Sequence, residues 1–139
     1  MFQIDRAFLP TSQPVGELAL SHVRMQADGR FPWIILIPRV AEARELEDLA
    51  DGERDVLMEE IVRAGAAVRA VGLALGRPVE KLNVGQLGNV TPQLHIHVVG
   101  RRVDDPAWPG PVWGHGAAAA YLAQDLLTAL AAVRGSLGL

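Results

Sequence analysis

With 139 residues the chain is long enough for one domain with a single core and too short for two. Half of its residues are apolar and 21% charged, and the net charge of −3 excludes a surface dominated by attraction to nucleic acid, so any phosphate site must rely on local donors. Cysteine is absent, which removes disulfides and thiolate metal sites; no apolar run approaches the roughly 18 residues of a membrane span, and Met1 to Arg6 has no basic-then-apolar leader, so a cytoplasmic protein without a membrane partner is expected.

Residues 1 to 16 hold Pro10, Pro14 and Gly16 around Ala7-Phe8-Leu9 and read as an irregular arm with one turn of helix. Leu18 to Met25 and the isoleucine-rich Trp33 to Pro38 have strand character. Asp28-Gly29 between them is a tight-turn dipeptide, so the two runs should pair as an antiparallel hairpin. His22 lies on the first of them and reads as an edge residue rather than a ligand. A short helical turn is expected at Arg44 to Leu49, with Asp51 capping the helix after it. From Glu53 to Leu75 the residues Leu57, Ile61, Ala64, Val68, Val71 and Leu75 recur every three or four positions, a core-facing stripe on a long helix that Gly76 and Pro78 end.

Lys81 to Gln86 reads as a further strand and Leu87 to Pro92 as a loop. Gly88 lets backbone N–H groups approach a ligand, and Asn89 offers a side-chain amide; a plain turn needing unusual backbone angles would use the same residues. Gln93-Leu94-His95-Ile96-His97-Val98-Val99-Gly100 comes next. On a strand, Gln93, His95 and His97 share one face, spaced roughly 6 to 7 Å apart, while Leu94, Ile96 and Val98 enter the opposite layer. Such a face can present an acid, base or nucleophile to a substrate, or two imidazoles to a metal; in the bland alternative it is a pair of solvent-facing histidines. A metal would need a third ligand, such as His115 or a carboxylate, which spacing does not fix. Beyond Arg101-Arg102, Trp108-Pro109-Gly110-Pro111 and Trp113 make a rigid loop that could wall off a base, cover a subunit interface or simply pack. Residues 117 to 134 read as a final alanine-rich helix.

The segment Gln93 to Val99, continued by Gly100-Arg101-Arg102, resembles the signature of the histidine-triad (HIT) superfamily, in which three histidines alternate with apolar residues. His95 and His97 match the second and third histidines; Gln93 stands at the first. Upstream, Trp33 occupies the segment where many relatives carry a fourth histidine. The order of elements from about Leu18 to Arg102 also fits.

The pattern of elements implies one α+β domain over residues 1–139, an antiparallel meander with helices on one face, its core spanning about 18–102 and a C-terminal loop and helix over 103–139. The resemblance implies the same HIT-like fold and a symmetric homodimer; no cofactor and no metal are expected. It also implies a small-molecule nucleotide partner, and a hydrolase or nucleotidyl transferase acting at the α-phosphate of a purine nucleotide derivative through a nucleotidyl-histidine. His95 then takes the place of the nucleophile, with His97, Gln93 and the loop at Gly88 and Asn89 as phosphate donors and His97 passing a proton to the leaving group. Asn83 is a further phosphate-binding candidate. The two departures keep open a non-catalytic nucleotide-binding protein.

Overall fold

The computed structural model describes all 139 residues. Five strands, β1 (Ser12–Glu17), β2 (Ser21–Gln26), β3 (Trp33–Pro38), β4 (Lys81–Gly85) and β5 (Ile96–Arg101), form one sheet, with the helices α1 (Asp51–Ala74) and α2 (Ala123–Leu137). Every pairing is antiparallel and the order is β1-β2-β3-β5-β4. The sheet is therefore a meander only through β3. After α1 the chain lands on the outer edge as β4 and returns inward, which places the histidine strand β5 between β3 and β4.

Alternation sorts the side chains into two layers. Val23, Met25, Ile34, Leu36, Ile96 and Val98 join Leu57, Ala64, Val68 and Val71 of α1 and Ala129, Val133 and Leu137 of α2 in the larger core. Both helices thus lie on one face, as the α+β pattern implies. Trp33, Ile35, Ile37 and Val99 enter a smaller core on the other face with Phe8, Phe31, Ala107 and Val112. Burial on both sides explains why β3 reads as an unbroken apolar run.

The hairpin of β2 and β3 and the long helix form as the sequence predicts. Several boundaries differ. The arm contains β1, because Pro14 and Gly16 sit on an edge strand at a register shift, where a missing N–H and an extra residue do no harm. Leu18 to Leu20 accordingly belong to the β1–β2 turn, closed by Leu18 N–H to Ser21 O at 2.9 Å. The last helix begins at Ala123 rather than 117, because Ala119 is held by the β2–β3 turn: its N–H reaches the Asp28 carboxylate at 3.3 Å and its carbonyl accepts from Gly29 at 2.6 Å. Asp51 does not cap α1; it opens the first turn after Ala50, whose N–H donates to Glu53 at 2.8 Å.

Candidate active site

The sheet face opposite the helices carries the polar residues. Register puts His97 beside Ile35 of β3 and Gly85 of β4, and Val99 beside Trp33 and Asn83. His95 lies one residue before the ladder of β5, so Gln93 and His95 are on the approach to the strand rather than in it. The two rings nevertheless meet edge to face, with centroids 4.8 Å apart.

Each ring's tautomer is set by its partner. Nδ1 of His95 lies 2.7 Å from the Gln93 carbonyl oxygen, which can only accept, so Nδ1 carries the hydrogen and Nε2 keeps its lone pair. Nδ1 of His97 lies 2.9 Å from Nε1 of Trp33, and an indole can only donate. His97 is therefore the opposite tautomer, with its hydrogen on Nε2. Both rings are buried, at 6% and 8% exposure. Burial lowers the pKa of His95, with the bond to Gln93 pulling the other way. His97 is pushed down to about 3, first by burial and then by the neighbouring His95. At neutral pH the pair is one lone-pair donor beside one neutral N–H donor.

A box of aromatic rings holds them. Trp33 and Trp113 approach His97 edge-on at 5.7 and 5.4 Å, and Phe8 approaches His95 at 4.9 Å. Trp113 reaches this position because Gly85 has no side chain; a Cβ there would lie 2.8 Å from the indole. Its own Nε1–H is buried without a partner.

Gln93 faces the N-terminal arm. Its Oε1 accepts from Asp5 N–H at 2.8 Å and its Nε2 donates to Gln3 O at 2.7 Å, which fastens residues 3 to 5 beside the one-turn helix that carries Phe8. One amide hydrogen of Gln93 remains. The clefts of the molecule do not include either histidine. The largest, about 450 Å³, lies among Arg30, Arg77, Arg102 and Tyr121, whereas the histidines lie under the arm.

The other sequence candidates are more scattered. Asn83 faces the histidine side of the sheet, but its Oδ1 accepts from Arg101 Nη1 at 2.8 Å. Arg101 in turn is buried against Asp105 at 2.8 Å. Gly88 has φ +88°, a left-handed conformation that suits glycine, and Asn89 is exposed. Both lie in the loop leading to β5, and no hydrogen bond joins them to the histidines. No group of three His, Cys, Asp or Glu side chains is arranged to hold a metal, and His115 is exposed on its loop. Sequence reasoning missed Phe8 and the Gln3–Asp5 backbone; neither alternation nor spacing carries a signal for them.

The family model described as "HIT domain" matches residues 10–104. Similar solved structures include a histidine triad protein from Bradyrhizobium japonicum, 34% identical with a TM-score of 0.91 over 98% of both chains. A histidine triad (HIT) protein from Sinorhizobium meliloti is 36% identical, with a TM-score of 0.87 over 98% of this chain and 97% of that one. One from Marinobacter aquaeolei is 33% identical, with a TM-score of 0.86 over 99% and 97%. No curated protein matches the chain.

Proposed function

Because this chain belongs to the HIT family, we propose that it is a hydrolase or nucleotidyl transferase working at the α-phosphate of a purine nucleotide derivative, with His95 as nucleophile. The observation that carries the reading is the His95 tautomer: with Nδ1–H given to the Gln93 carbonyl, a neutral ring offers its Nε2 lone pair. In the first step a P–N bond forms as the bond to the leaving group breaks. The positive charge that develops on the ring is stabilised by the same carbonyl. Water or another hydroxyl acceptor then attacks phosphorus, its proton passing to solvent, and the electron pair of the P–N bond returns to Nε2.

Negative charge on the phosphoryl oxygens needs fixed donors. His97 Nε2–H and the remaining amide hydrogen of Gln93 are the donors this reading assigns, and the loop at Gly88 and Asn89 supplies backbone N–H groups if it folds over the ligand. Asn83 is the weaker candidate, since Arg101 already occupies its carbonyl oxygen. Substrate reaches His95 only when the arm bearing Phe8 moves aside. A nucleotide-binding protein without turnover is the second reading, and the 6% exposure of His95 is the observation that favours it.

The test maps the adduct. His95→Ala should abolish nucleotidylation. His97→Ala should slow turnover by about 10² to 10⁴ and still allow adduct on His95 with an activated leaving group. Retained binding of AMP with no adduct in the unmodified protein would favour the binder; an adduct on His97 would refute the assignment.

The reading includes a homodimer. β4 pairs on one side only, and beside it Val84 and Met58 are 52% and 58% exposed around an apolar cleft that also takes in Leu46, Leu57 and Ile61. A second copy laid edge to edge along β4 would cover this surface. Light scattering should give twice the chain mass, and Val84→Lys should give monomer.

A further inference from the structure

We propose that Trp33 is a specificity-determining residue: by holding Nδ1 of His97 with its indole N–H, it leaves the site without a general acid, so only leaving groups that depart without a proton are discharged. The inference rests on the reading of His95 as nucleophile and adds to it the class of bond that is cut.

To act as an acid, His97 would need a proton it can release. A neutral imidazole gives up its only proton at great cost, so a histidine acid must first be protonated on both nitrogens. Protonating Nδ1 of His97 would set a second N–H against the Trp33 N–H across 2.9 Å. The ring cannot readily turn away, because His95, Trp33 and Trp113 contact it within 5.7 Å on three sides. Burial opposes the charged form as well, and no carboxylate pairs with either histidine to offset it.

The other groups on this face do not replace the acid. Gln93 cannot titrate. His95 needs Nε2 for phosphorus and has committed Nδ1–H to a carbonyl. The elements packed on His97 contribute Ile35, Trp33, Gly85 and Trp113, none of which titrates near neutrality. Farther along the same face, Arg24 and His22 of β2 and Glu17 of β1 bond to one another. Asp5 of the arm caps its own helical turn, and Arg101 is paired with Asp105.

The consequence is chemical. As the P–O bond to the leaving group breaks, its electron pair stays on the departing oxygen, and His97 Nε2–H can give that oxygen or a phosphoryl oxygen a hydrogen bond but not a proton. Phosphoanhydrides and esters of acidic alcohols or phenols tolerate this, because their leaving anions are stable. An alkylamine does not: it departs from phosphorus as a neutral amine only if nitrogen is protonated on the way. A histidine at position 33 could share a proton with His97. Tryptophan cannot.

The experiment compares adenosine 5′-phosphate 4-nitrophenyl ester with the adenosine 5′-phosphoramidate of a simple alkylamine, in the unmodified protein, Trp33→His and Trp33→Phe. In parallel, ¹⁵N NMR of the imidazoles reads the His97 tautomer without any turnover. The unmodified protein should show Nε2–H at neutral pH and prefer the aryl ester by about 10³-fold or more beyond the ratio of the two uncatalysed rates. Trp33→His should narrow that preference by about tenfold or more, and Trp33→Phe should release the tautomer even if its turnover falls. Amine release as efficient as phenol release, with the adduct on His95, overturns the restriction alone. So does a His97 tautomer that Trp33→Phe leaves unmoved. Failure to cleave even the aryl ester overturns both the restriction and the reading beneath it.

Discussion

Removing the Gln93 side chain should open the arm over His95. The amide bonds to Asp5 N–H at 2.8 Å and to Gln3 O at 2.7 Å are the side-chain hydrogen bonds that tie residues 3 to 5 to the body of the protein. At about 1 kcal/mol net for each, Gln93→Ala removes about 2 kcal/mol of local closing free energy. That corresponds to a roughly 30-fold rise in the open population of the arm. The strand should survive, since residue 93 lies outside β5 and Leu94, Ile96 and Val98 keep their places in the larger core. Two readouts track the opening without any turnover. Amide hydrogen exchange over residues 3 to 8 should accelerate by about that factor while residues 96 to 101 stay protected. Carbethoxylation of His95, mapped by peptide mass spectrometry, should accelerate likewise relative to the exposed His115, which serves as an internal reference. Asp5→Ala separates the latch from the helical cap: it loses the bond to Ala7 N–H but keeps the backbone N–H that Gln93 holds. It should therefore change the rate much less. If the unmodified protein already reacts at His95 as fast as at His115, or if Gln93→Ala leaves the ratio unchanged, the arm is not closed by Gln93.

The depressed histidine pKa values set a pH dependence of stability. Folded His97 stays neutral while the unfolded chain takes up protons below about 6.5, so stability is full above that pH and falls by up to about 1.4 kcal/mol per pH unit for this ring as the pH drops towards about 3; the lowered pKa of His95 adds a loss of the same sign. Urea titrations from pH 7 to pH 4 should show this slope, and His97→Ala should flatten it. The depressed carboxyls of Asp28 and Asp105 add a further loss only below about pH 4. Asp105→Ala should cost about 3 to 5 kcal/mol in the same assay, because it strands the guanidinium of Arg101, which is 1% exposed. Gly100→Ala should cost about 1 to 3 kcal/mol, since a Cβ there would lie 2.7 Å from Pro32 and Val79 and 2.8 Å from Val68; an unchanged midpoint would mean that β5 and α1 can separate at little cost.

Some of this molecule is written along the chain itself. The stripe of α1, the β2–β3 hairpin and the face shared by His95 and His97 are legible because their signals are local: periodicity, a turn dipeptide, and alternation within one short segment. The bounds that differ from sequence expectation are those where a contact from elsewhere overrules local preference. Pro14 and Gly16 read as breakers until β1 is seen on the sheet edge, and the alanines before 123 read as helix until the Asp28 turn takes the backbone of Ala119. The chemistry of the site is more remote still. Trp33 sets the His97 tautomer from 64 residues away, and Gln93 grips the arm across 88 and 90 residues. Spacing along a sequence says which side chains share an element's face. Which nitrogen carries the proton depends on the partner that folding brings to within about 3 Å, and only the tertiary structure decides that.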